Sequence, residues 1–393
     1  MRMYIRAMTV LIGVAAVTPV AAHHGFGTFE TSKTVSFPGA TLTKLEFINP
    51  HSWLYFEVKD ASGKVQKMRC EMRSAHVLRR SGWESDMFRG GQRVDITASP
   101  DRADPGSCYL QTIQFANGTR MDRYGQYVKA ADGLKEVRGA IRAGNVNRPA
   151  RRPTGEPNIS GDWAPEQVVM ADPRGTGGGL VPLSTIAKAQ PAAAAGGARG
   201  RGAAAPAGPR LYGGTELTEL GTSMAAAFVQ TDNPRFQCQT TSILFDWTFD
   251  GPVNRITQNR DTIVIEYGQF NLKRTVNMNL KAHPANIKPS RAGHSIGRWD
   301  GETLVVDTVG FSPGVLNAPV RHSDKLHVVE RFTLDPKTMR LTRQYEADDP
   351  VYLKGKYTGQ DVIEPADAPY AQDTCKEQKD VNYAQQVNAP QKR

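Results

Sequence analysis

Beyond residue 22 the chain contains no long hydrophobic run, so no later window resembles a transmembrane helix. No cysteine stands at the small-residue stretch Val20-Ala21-Ala22, which argues against a lipid anchor there. In the most basic stretch, residues 120–152, aromatic side chains are not interleaved as base-stacking platforms require. The net charge of +10 therefore points away from nucleic acid, and towards a solvated basic linker able to contact anionic envelope surfaces. A nucleophile elbow is missing too. Gly293-His294-Ser295-Ile296-Gly297 has the G-x-S-x-G spacing, but a β-hairpin follows where that motif needs a helix. An α/β-hydrolase is excluded on that ground.

Several features are present in their place. Arg2 and Arg6 precede an apolar run from Met8, and Val20-Ala21-Ala22 follows Pro19, the pattern of a cleaved secretory signal over residues 1–22. The mature protein is expected to be soluble and exported, periplasmic or secreted. Four cysteines then read as two disulfides, for which three connectivities exist. One bridge per domain is preferred: Cys70 with Cys108, and Cys238 with Cys375. The second closes a very long loop, worth about 4–5 kcal/mol in the chain-entropy model.

Residues 41–47 (TLTKLEF), 52–58 (SWLYFEV) and 65–72 read as strands. A short helix follows over 74–82, with Ser74 as N-cap and Gly82 past its end, and then strands over 92–98 and 108–115. Three strands, a helix and two strands is the element order of a small OB-like barrel, assigned to residues 23–121. HHGFGTFE at residue 23, the Asn49-Pro50-His51 before an aromatic-rich strand, and LRRSGW resemble a family of small exported bacterial domains of unknown function. That resemblance implies secretion and a compact β domain, and no established chemistry.

Residues 122–215 read as a basic, Gly/Ala/Pro-rich linker region, with a short distinct segment near 158–166 (NISGDWAPE). A helix is expected within 216–233, capped by Thr215 or Thr218. From Cys238 onwards eight candidate strands follow: 253–258, 262–267, 272–278, 294–299, 303–311, 326–334, 339–346 and 357–363. Short strands with polar turns predict an antiparallel, lipocalin-like barrel or half-barrel with interior ligand space over 216–378, leaving 379–393 as a tail. Asp300-Gly301 is expected to form the turn of a two-residue hairpin. Residues 293–311 (GHSIGRWDGETLVVDTVGF), with Cys238, LHVVERF and Cys375, resemble a second family of exported, mostly uncharacterised bacterial proteins, over roughly 158–378.

Three chemistries are open. The leading one is a two-domain binding protein for a small apolar molecule, with Trp299, Arg298 and His327 as ligand-binding candidates. A second is a copper or zinc site. Cleavage after Ala22 leaves His23 with a free α-amine beside His24, and His51 can complete a nitrogen-rich set. The third is an envelope lyase, isomerase or hydrolase built on His294, Asp307 and Glu330, with His322 and His327 on neighbouring strands or connections, where a His–Asp or His–Glu pair inside the barrel moves a proton. Strand alternation puts His294, Ile296 and Arg298 on one face. It also puts His327, Val329 and Arg331 together, with Glu330 pointing the other way.

Overall fold

The computed structural model describes residues 29–122 (except 31, 50, 61, 81–82, 84–86 and 119), 126–129, 133–137, 148–166, 168–170, 180–182, 215–373 (except 230–231 and 367) and Cys375. The molecule is mainly β, with a barrel-like sheet in each half.

The first half alternates apolar and polar residues along β1 (Val35–Glu46), β2 (Trp53–Lys59), β3 (Val65–Glu71), β4 (Arg93–Pro100) and β5 (Ser107–Phe115). Helix α1 (Ala75–Arg80) lies between β3 and β4; Ser74 Oγ accepts from Val77 N, as its N-cap position predicts. The strands pair in the order β3-β2-β1-β4-β5, and a parallel β3–β5 pairing closes the ring. This is the expected OB-like arrangement. The long β1 must bend to pair with both β2 and β4; its register shifts between Phe37 and Ala40, where Gly39 takes a φ of 63°. Cys70 and Cys108 face each other at the parallel seam and are joined by a disulfide. Leu42, Leu54, Phe56, Trp83 and Ile96 fill the interior. Beyond β5 the sheet continues through β6 (Arg120–Asp122), β7 (Gln126–Lys129) and β8 (Gly133–Val137).

All eight strands expected in the second half are present, and a ninth joins them. It is β9 (Gly161–Pro165), from the NISGDWAPE segment that the sequence places within the linker region. Two short hairpin strands follow it, β10 (Val168–Met170) and β11 (Leu180–Pro182). Further on, β12 (Glu216–Leu217) leads into helix α2 (Glu219–Ala226), capped by Thr218. The barrel strands are β13 (Asn254–Gln258), β14 (Thr262–Glu266), β15 (Lys273–Asn277), β16 (His294–Asp300) and β17 (Thr303–Val309). After the small hairpin β18 (Gly314–Asn317) and β19 (Val320–His322) come β20 (His327–Leu334), β21 (Leu341–Asp348), β22 (Leu353–Lys354) and β23 (Tyr357–Pro365). Strand β9 pairs with both β13 and β23 and closes the barrel, its Trp163 fully buried.

Two local expectations are corrected. The barrel is not wholly antiparallel, because β15 and β16 run parallel. The hairpin turn is Gly301-Glu302, since Asp300 already pairs with Thr303, and of the two only Gly301 has a positive φ, 60°. Glycine at the first central position alone is the requirement of a type II′ turn.

Charged and aromatic side chains occupy the barrel's centre, where a space for an apolar ligand is expected from the strand count. Glu330 binds Arg274 Nη2 at 2.6 Å and Arg343 Nη1 at 3.2 Å, and Arg343 Nη2 binds Asp361 at 2.6 Å. Residues 240–251 plug the barrel: Arg343 also donates to Ile243 O and Leu244 O, and its guanidinium lies 5.3 Å from the Trp247 ring. Burial opposes the charge on both arginines, but Glu330 beside Arg274, and Asp361 then Glu330 beside Arg343, hold it firmly.

The two halves touch. Arg80 donates to Gly251 O and Pro165 O, and Asn49 Nδ2 donates to Asp373 Oδ1 at 2.7 Å. Cys375 Sγ, bonded to Cys238, lies 3.2 Å from Asn49 O, so the second disulfide anchors the segment that meets the first domain.

Candidate functional site

Hairpin β16–β17 and strand β20 present one outer face of the barrel. Asp307 pairs with Ile296 on one side and with Val329 on the other. Its diagonal neighbours are therefore His294 and Arg298 on β16, and His327 and Arg331 on β20. His327 Nε2 lies 3.0 Å from Asp307 Oδ1.

The fourth member is a residue the strand pattern does not reveal. Because β15 and β16 are parallel, residues 278–293 must return along the barrel's exterior. Ser290 N donates to Gly310 O, and Ser312 N donates to Ser290 O, which pins this return over β17. Ile287 packs so closely on Gly310 that a Cβ there would lie 2.5 Å from it. The return delivers His283 into the gap between His294 and Asp307. His283 Nδ1 lies 2.8 Å from His294 Nδ1, and His283 Nε2 lies 3.1 Å from Asp307 Oδ1.

These contacts fix the tautomers. Asp307 is an acceptor, so His283 and His327 each donate their Nε2–H to it. The remaining nitrogen of His283, Nδ1, then accepts from His294 Nδ1–H. Nε2 of His294 and Nδ1 of His327 are left as bases. Burial, and then the His283 imidazole, hold His294 below the ordinary histidine value, so it is neutral at neutral pH. The cluster remains reachable: the His327 and Asp307 side chains are 40% and 33% exposed.

The other expected site residues fall elsewhere. Glu330 is inside the barrel on the opposite face of β20, a correction to its grouping with His294 and Asp307. Its alternation with His327 sends it inward, where two arginines bind it. Trp299 also turns inward and packs against the core, whereas Arg298 and His327 share the outer face, so the expected ligand trio is split. His322 is buried apart, edge-on to Phe311. His23 and His24 lie outside the described residues. His51 binds Glu71 at 2.8 Å, and Glu71, then Asp250, raise its pKa against the pull of burial. Among the described residues no group of three or more His, Cys, Asp or Glu is arranged to hold a metal ion.

Residues 11–108 match a family described as a family of unknown function (DUF6152). The match spans the first domain as far as Cys108 and does not reach the histidine cluster. No curated protein and no solved structure matches the chain.

Proposed function

We propose that the protein is an exported enzyme, periplasmic or secreted, whose second barrel carries a general acid–base site on its outer face. The observation that carries this reading is the hydrogen-bonded chain His294–His283–Asp307–His327 on a half-exposed surface. His294 Nε2 takes a proton from the substrate or from an attacking water. The imidazolium so formed keeps its Nδ1–H on His283, whose Nε2–H rests on Asp307, so the new charge is shared along the chain. His327, oriented by the same carboxylate, is the second imidazole and can return a proton. This is the chemistry of a lyase, isomerase or hydrolase. Two disulfides are compatible with an oxidising compartment, and the signal-like residues 1–22 support export.

Binding of an apolar molecule inside the barrel draws no support from an interior taken up by the Glu330 network and Trp247. The copper or zinc reading keeps only His23 and His24, because Glu71 engages His51.

Hydrolysis of 4-nitrophenyl acetate, which reports activated imidazole, tests the acid–base reading directly. The wild type should exceed His294→Ala by about 100-fold, with a rate that rises as His294 loses its proton. Equal rates in two folded proteins would overturn the reading.

A further inference from the structure

The diagonal pattern around Asp307 has a second half. His294 and His327 occupy the two corners towards one end of the strands, and Arg298 and Arg331 occupy the two towards the hairpin turn. Both arginines are exposed, and among the described residues neither has an ion-pair partner. The register places their stems on either side of Val305, which is only 2% exposed. Covering an apolar residue needs a long stem but no charge. Of the acidic groups nearby, Asp307 is engaged by two histidines, Glu346 by Lys356 and Glu302 by Arg151, while Asp300, exposed on the same face of β16 at the hairpin turn, forms no ion pair with Arg298. Asp348 lies across from His327, at the opposite end from the arginines.

We infer that this site takes a small oxyanion-bearing substrate, a carboxylate or phosphate, held between Arg298 and Arg331 with its reacting centre towards His294 and His327. The inference rests on the acid–base reading above. Two strand spacings separate the arginine backbones, about 10 Å, so two long side chains can converge on one anion. Guanidinium groups suit this task because each offers a planar pair of donors to two oxygens at once. The arginine and histidine rows are four residues apart along the strands, about 13 Å at the backbone. With arginines leaning towards Asp307, that span fits one molecule whose anion and reactive group are a few bonds apart.

Two measurements test this. The first compares kcat/KM for 4-nitrophenyl acetate with that for the mono-4-nitrophenyl ester of glutaric acid, in the wild type and in R298Q/R331Q. The wild type should prefer the anionic ester by about tenfold or more, and the ratio should fall to near one in the double variant. A wild type without that preference, or a preference that survives in the variant, overturns the inference while leaving the acid–base reading intact. The second measurement titrates inorganic phosphate and acetate against both proteins, following the arginine side-chain NMR signals. It separates the two anion sources. It also decides the matter if neither ester is turned over: arginine-dependent binding sustains the anion site after the acid–base reading has failed, and no binding of either anion overturns it.

Discussion

Strand β20 carries Glu330 into the barrel and His327 and Arg331 out of it, and β17 likewise sends Thr308 in and Asp307 out. Inside, the titratable groups around Glu330 bind one another, although Arg274 Nε has no hydrogen-bond partner among the described residues. Both Glu330 oxygens are taken, Arg343 is shared among a carboxylate pair and two carbonyls, and Tyr267 is pushed up to about 12 by burial, so it stays a neutral donor to Ile243 O. Outside, the same strands hold imidazoles whose second nitrogens are left over after Asp307 has been satisfied. Ionisable groups serve the fold where their charges are met internally, and can serve chemistry where a nitrogen is left facing outward. Alternation along a single strand is enough to separate the two uses.

Substitutions graded by burial should break or sharpen this contrast. The largest effect is expected inside. Glu330→Gln removes the charge that compensates two buried guanidinium groups and should cost about 3–5 kcal/mol in urea denaturation; a loss below about 1 kcal/mol would show that the interior does not depend on ion pairing. An intermediate effect is expected at His51, whose side chain is 25% exposed against a Glu71 that is 1% exposed. Because folding raises the His51 pKa, its contribution is complete below the ordinary value near 6.5 and is lost as pH rises through the folded value. The wild type should therefore lose about 1–2 kcal/mol across that window relative to His51→Ala, whose stability should be flatter with pH. The smallest effect on stability belongs to the outer face. Asp307→Asn should change the urea midpoint by no more than about 0.5 kcal/mol equivalent, while cutting ester hydrolysis along with His294→Ala. A large stability loss there would make Asp307 a structural residue like Glu330.

Much of this was legible in the chain itself. Eight barrel strands declare themselves by two-residue alternation between polar turns, and the OB-like order follows from strand spacing and the Ser74 cap. Strand β9 is hidden because it is short and separated from the rest of the barrel by a long low-complexity stretch. It earns its place through pairing with β13 and β23, a non-local contact that no local pattern encodes. His294 and Asp307 are legible as near neighbours across the hairpin, and Arg298 and Arg331 as members of the faces of His294 and His327, but the pair is expected inside the barrel and the structure puts it on the outer face. His283 is not legible, because it sits in an irregular return between two parallel strands, where periodicity carries no information. The signal that could have found it is the length of that connection, too long for a hairpin and bearing a histidine. Glu330 shows the converse: alternation correctly turns it away from His327, but only the register of β15 and β21 reveals Arg274 and Arg343 as its partners.

Long-range nitrogen–proton NMR of the histidine rings tests the relay most directly, since it reads which ring nitrogen holds each proton. At neutral pH, His294 should be protonated on Nδ1 alone, and His283 and His327 on Nε2, with the His283 and His327 signals shifting in Asp307→Asn. A proton on His294 Nε2, or a histidine pattern unmoved by loss of the Asp307 carboxylate, would contradict the chain of hydrogen bonds on which the proposed chemistry depends.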